Sequence, residues 1–139
     1  MSDLRVLVVE DYADAAEAQA ELLRVFGYRV EIARDGLSAL EVAGSFLPDV
    51  VLLDLKLPGK NGYEVARELR ARIPSPMVII AVSGLARDVD RMLAVDAGLD
   101  FYLTKPVDVR LLSTLLATAS RRRRPPQRLA RRLPAAKAS

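Results

Sequence analysis

The chain has no cysteine and no histidine. Without cysteine there is no disulfide framework and no thiolate metal site. Without histidine there is no imidazole ligand and no histidine acid–base chemistry. Any metal must therefore be held by oxygen, which favours magnesium, calcium or manganese. Long apolar runs are missing too. Charged residues interrupt every apolar stretch, so no transmembrane helix is expected. The opening MSDLRVLVVEDYADA has four apolar residues after Arg5 and then turns acidic, which is not a secretory-signal pattern. A cytoplasmic location is the expectation.

What is present suits one folded domain. At 139 residues and 51% hydrophobic content, a real core can form. The net charge of +3 conceals an asymmetry. Residues 121–139 hold eight of the 21 basic residues and none of the 18 acidic ones. Residues 1–120 therefore carry 13 basic against 18 acidic side chains, a net charge of −5. The run RRRRPPQRLARRLPAAKAS cannot bury enough apolar surface to offset its ordering entropy, so residues 121–139 are expected to be a disordered basic tail.

Five short apolar runs alternate with helical patterns. Leu4–Val9 reads as a buried strand ending on Glu10 and Asp11. Asp14 and Glu17 resemble a capping box for a helix reaching about Phe26, with Ala15, Ala18, Leu22 and Val25 or Phe26 inward and Gly27 as its stop. Arg29–Ala33 alternates polar and apolar residues, as a strand near a sheet edge does. Asp35-Gly36 reads as a turn before a helix over Leu37–Phe46. Val50–Leu53 is a third strand that ends on Asp54, with the loop residues Pro58, Gly59, Asn61 and Gly62 behind it. A helix follows over Tyr63–Arg72, then a strand over Met77–Val82 ending on Ser83-Gly84. Arg87–Ala97 reads as a helix stopped by Gly98, and Asp100–Thr104 as a strand ending on Lys105-Pro106. Asp108–Ser120 is the last helix, with Val109, Leu112, Leu115, Leu116 and Ala119 as its buried stripe. Leu22, Phe26, Met77 and Met92 are also assigned to the core. Strict alternation at these lengths predicts an α/β fold: a five-stranded parallel sheet, order 2-1-3-4-5, with helices on both faces.

That order gathers Glu10, Asp11, Asp54, Ser83 and Lys105 at one sheet edge, where sites form in open parallel sheets. Three carboxylates in one crevice repel unless a cation sits among them. With oxygen donors only, Mg2+ held by few carboxylates and several waters fits. Asp54 is placed to attack phosphorus as a nucleophile, Lys105 to pair with a phosphoryl oxygen, and the Ser83 hydroxyl to bond another. Each feature alone has a plainer reading. Glu10-Asp11 can simply lead into a helix, Asp54 and Ser83-Gly84 can be turn residues, and Lys105-Pro106 a solvated loop. Only their convergence carries the functional reading.

From Leu4 to Ala119 the chain resembles the receiver domains of two-component response regulators. Glu10-Asp11, Asp54, the LPGKNG loop, Ser83-Gly84 and Tyr102–Pro106 carry the resemblance, in order, each at its own strand end. The resemblance implies a flavodoxin-like fold, bound Mg2+, and phosphotransfer to Asp54 from a phosphohistidine on a histidine kinase or phosphotransfer domain. It implies that Asp11, Asp54 and the Lys56 backbone carbonyl ligate the metal, with Glu10 acting through a metal-bound water. It implies that Ser83 and Tyr102 form the switch, and that an output protein docks on the fourth helix, fifth strand and fifth helix. Lys60 departs from the apolar residue usual in the loop. The resemblance implies that Lys56 and Leu85 flank the path of attacking water, and Leu85 cannot orient a water, so slow autodephosphorylation is expected.

Two other readings compete. A haloacid-dehalogenase-type phosphohydrolase also uses an aspartate nucleophile and Mg2+, but needs a second aspartate where Lys56 stands. A phospho-independent binding module would use the basic tail on nucleic acid. That tail lacks interleaved aromatics and any DNA-binding module. The preferred reading is a phospho-accepting signalling domain, not an enzyme in the usual sense.

Overall fold

In the computed structural model, residues 3–85 and 89–122 are described, apart from the side chains of 120–122. Five strands and five helices alternate: β1 (Arg5–Val9), α1 (Ala13–Val25), β2 (Arg29–Ala33), α2 (Gly36–Phe46), β3 (Val50–Asp54), α3 (Gly62–Arg72), β4 (Val78–Ser83), α4 (Arg91–Ala97), β5 (Phe101–Thr104) and α5 (Val109–Arg122). The strands form one parallel sheet in the order β2-β1-β3-β4-β5. This is the expected flavodoxin-like order, with β2 at an edge. All strand carboxyl ends share one edge, and each helix carries the chain back to the other.

Alternation along each strand splits the core into two layers. Leu7, Val9, Val51, Leu53, Ile79 and Ala81 face α2, α3 and α4. Val6, Val8, Val50, Leu52 and Ile80 face α1 and α5. All five residues of β3 are buried. Each of its aliphatic side chains contributes about 1.5–3 kcal/mol by leaving water, so the strand carrying Asp54 is firmly seated.

The helix ends explain the entry angles. Asp35 accepts from the Ser38 N–H at 2.8 Å and caps α2, so Asp35-Gly36 is a helix start and not a free turn. Asn61 and Glu64 form a capping box on α3. Asp90 caps α4, whose end at Gly98 has the left-handed φ of 81° that favours glycine. At the far end of β4 and β5, the Arg70 guanidinium donates to the carbonyls of Gly98 and Met77 and to the buried Asp100 carboxylate.

Several expectations need correction. The α1 cap is Tyr12, which makes no side-chain cap bond, and Asp14 lies inside the helix, so the Asp14–Glu17 box is not formed. The buried face of α1 is Ala16, Ala20 and Leu23, while Leu22, Val25 and Phe26 are exposed. An alanine-rich helix offers two equally apolar stripes, and Leu23 decides between them by reaching Val30 and Leu4 in the core layer. Met77 is core, but Met92 is 83% exposed, because the two-turn α4 buries Ala94 and Ala97 on its other side. Helix α4 starts at Arg91, later than expected, and residues 87–88 of the expected span lie outside the described residues. The α5 stripe is buried at Leu112, Leu115, Leu116 and Ala119 and half-buried at Val109. The expected tail begins inside α5, and its residues 123–139 lie outside the described residues.

Candidate functional site

The sheet order brings β1, β3, β4 and β5 side by side, and their carboxyl ends build one crevice. Glu10 continues β1 by one residue, its N–H donating to the Ala33 carbonyl at 3.0 Å. Asp54 closes β3. Lys105 follows β5, with its N–H still in the ladder on the Ser83 carbonyl at 2.8 Å. One carboxylate oxygen from each of Glu10, Asp11 and Asp54 lies within 4.8 Å of the others. Glu10 and Asp54 are buried and Asp11 is exposed.

A single ammonium joins the set. Lys105 Nζ lies 2.8 Å from Asp54 Oδ2 and 3.5 Å from Glu10 Oε1. The other Asp54 oxygen, Oδ1, accepts from the Lys56 N–H at 2.9 Å. Both oxygens of the central carboxylate are thus held in fixed directions. Burial pushes the Glu10 carboxyl above its usual range, the Tyr12 N–H hydrogen bond pulls it back, and the neighbouring Asp54 charge adds to the rise. Partial burial alone would lower Lys105, but the hydrogen bond and charge of Asp54, with Glu10 behind it, raise it. The ammonium is therefore held charged by the acids it faces.

Ser83 is buried at the end of β4 beside Thr104, and its hydroxyl donates to the Leu85 carbonyl at 3.0 Å. Tyr102 is buried two residue rows below, level with Ala81 and against the α4 side of the sheet. Leu85 is half exposed at the rim. The structure thus collects Glu10, Asp11, Asp54 and Lys105 into direct proximity and sets Ser83 and Tyr102 on the adjoining strands. Arg34 was not anticipated. It follows β2, and its Nε and Nη2 both donate to the Asp11 carbonyl, at 3.0 and 2.8 Å. The signal was available, since pairing β2 beside β1 sets Ala33 level with Val9 and so Arg34 next to the acidic pair.

The donor set suits a hard cation. Three carboxylates converge, one of them exposed, and oxygen is the only strong donor type on offer.

Known proteins share this fold. Residues 6–117 match the response regulator receiver domain family. The chain is 39% identical over 119 residues to the sensory transduction protein RegX3 of Mycolicibacterium smegmatis, an overlap covering 84% of this chain and 50% of that one. It spans about half the length of the curated relatives it matches. Among solved structures, a CheY-like receiver domain from Methylobacillus flagellatus is 34% identical, with a TM-score of 0.78 over 85% of this chain and 99% of that one. The receiver domain of Saccharomyces cerevisiae Ssk1, solved with the histidine phosphotransfer protein Ypd1, is 25% identical, with a TM-score of 0.76 over 85% and 89% of the two chains. With the family matched across all five β/α units, the chain belongs to the response regulator receiver domains of two-component signalling.

Proposed function

We propose that this domain accepts a phosphoryl group on Asp54 from a phosphohistidine and passes the signal on by protein contact. One observation carries the reading: Lys105 Nζ sits 2.8 Å from Asp54 Oδ2, with Glu10 and Asp11 beside them at the open edge of the sheet. An Asp54 oxygen attacks phosphorus as the phosphorus–nitrogen bond of the donor imidazole breaks, and the leaving imidazole keeps the bonding pair and takes a proton. Lys105 then pairs with a phosphoryl oxygen in place of the carboxylate, as a mobile point charge can. The Ser83 hydroxyl exchanges the Leu85 carbonyl for another phosphoryl oxygen, and Tyr102 responds to that shift. Asp11, Asp54 and the Lys56 carbonyl would hold Mg2+, with Glu10 bonding through water. When bound, the ion supplies charge neutralisation for the incoming phosphoryl group.

The donor is a histidine kinase or a phosphotransfer protein, a reading supported by the complex that the related Ssk1 domain forms with Ypd1. The output contact falls on α4, β5 and α5, where Met92, Leu93 and Val95 are exposed. This setting is cytoplasmic. No helix among the described residues is long and apolar enough to cross a membrane.

Incubation with phosphoramidate and Mg2+, read by intact mass, tests the proposal. One phosphoryl adduct is expected on the wild type and none on Asp54→Ala. An unmodified wild type, or an adduct that survives the substitution, would overturn it.

A further inference from the structure

The loop between β1 and α1 carries Asp11, the exposed member of the acidic trio. Its neighbours are well tied. The Glu10 N–H is bound to β2, and the Tyr12 N–H to the Glu10 carboxylate at 3.1 Å. The Asp11 peptide carbonyl is tied differently, by two guanidinium N–H groups of one side chain, Arg34. That arginine is stationed firmly. It stands between Ala33, the last residue of β2, and Asp35, which caps α2 through a reciprocal box with Ser38. Its backbone is fixed on both sides, and both guanidinium N–H groups of the exposed side chain close on the one Asp11 carbonyl.

Three like charges within 4.8 Å push apart, and Asp11 is the one with room to leave. A grip on its peptide resists that escape. The grip also brings a permanent positive charge to the edge of the cluster, where it offsets part of the repulsion.

We propose that Arg34 is a positioning residue for the cation-binding edge of the site: by holding the Asp11 carbonyl it keeps the Asp11 carboxylate converged on Glu10 and Asp54. This rests on the reading above that these carboxylates bind a divalent ion. Arg34 takes no part in phosphoryl transfer itself. Its loss weakens ion binding and leaves the chemistry intact once the ion is saturating. Groups that orient a metal ligand from outside the coordination sphere commonly change affinity by about tenfold or more.

The test uses Mn2+ as the probe and the full chain as the protein. Free Mn2+ is followed by electron paramagnetic resonance in wild type, Arg34→Ala and Arg34→Lys. The alanine variant should raise the Mn2+ dissociation constant about tenfold. The lysine variant, with a charge but no fork, should fall between. The Mg2+ concentration giving half-maximal phosphorylation by phosphoramidate should shift by the same factor, with the rate at saturating Mg2+ within about twofold of wild type. A wild-type dissociation constant in both variants would overturn this inference and leave the site reading standing. So would a lowered Tm and maximal rate with no change in ion affinity, which is what a merely structural arginine gives. A wild type that binds no Mn2+ would overturn the site reading and this inference with it.

Discussion

Gly62, the first residue of α3, is the tightest point beside the acceptor. A methyl group placed there would lie 2.6 Å from Leu55 Cα, 2.8 Å from the Asp54 carbonyl oxygen and 2.9 Å from Leu55 Cδ2. The first two are backbone atoms of the β3 end and cannot rotate aside. Carbon atoms in contact prefer about 3.5–4.0 Å, so the helix start must retreat by roughly an ångström. The Gly62 N–H donates to the Leu55 carbonyl at 3.0 Å, and a retreat stretches that bond. Overpacking costs about 1–3 kcal/mol, and a weakened hydrogen bond adds about 0.5–1 kcal/mol. Gly62→Ala should therefore cost about 2–3 kcal/mol and lower Tm by roughly 10 °C in a domain of this size. Gly44, in α2, is the control. A methyl there meets nothing within 4 Å, so Gly44→Ala should gain about 0.5–1 kcal/mol from helix propensity. Thermal and urea unfolding by circular dichroism read both variants. Equal stabilities for the two would refute the argument. So would a Gly62→Ala protein that matches wild type in Tm and still accepts phosphoryl groups at the wild-type rate.

Other outcomes can be stated more briefly. Because burial raises the Glu10 carboxyl above its ordinary 4.5, the folded protein holds that proton more tightly than the unfolded chain does. The resulting stability is complete below pH 4.5 and is lost as pH rises through the raised value. Metal-free wild type should lose stability against Glu10→Gln across that window, and parallel pH profiles would contradict this. Asn61→Ala removes the α3 capping box and should cost about 1 kcal/mol in urea unfolding, while an unchanged midpoint would show that the cap is idle. Leu85, half exposed at the rim, offers no side-chain group to orient water, so phosphorylated Asp54 should persist well beyond seconds by intact mass. Leu85→Asn should hydrolyse faster, by about tenfold or more, and a wild-type half-life of seconds would dismiss the idea.

Strand positions were legible because their signals are redundant. Val50–Leu53 is apolar without a break, ends on a charge and is followed by turn residues, so only one register is sensible. The gathering of Glu10, Asp54, Ser83 and Lys105 then follows from strand order alone. Helix faces were less legible. In α1 the stripes through Leu22 and through Leu23 differ by one residue and are almost equally apolar, and the core layer that holds Leu23 with Val30 and Leu4 makes the choice. Met92 misleads for a related reason, since a seven-residue helix can bury its alanines and leave its largest side chain outside. Asp14 has the right type for a cap, but the preceding backbone is already claimed when the Tyr12 N–H bonds the Glu10 carboxylate, and the helix starts earlier. Arg34 was legible only through the pairing of β2 with β1, since its carbonyl partner leaves no trace in side-chain patterns.

In a parallel sheet every strand departs from one pole and delivers its chemistry to the other. Here β1 begins at the pole away from Asp54, and α5, after the last strand, returns to that same pole. Both leads of the domain are therefore wired at its base, with the reactive end facing outward like a plug. A module spliced to either lead stands behind the sheet, clear of the donor's approach. Traffic between such a module and Asp54 must cross the full depth of the domain, from one end of the sheet to the other.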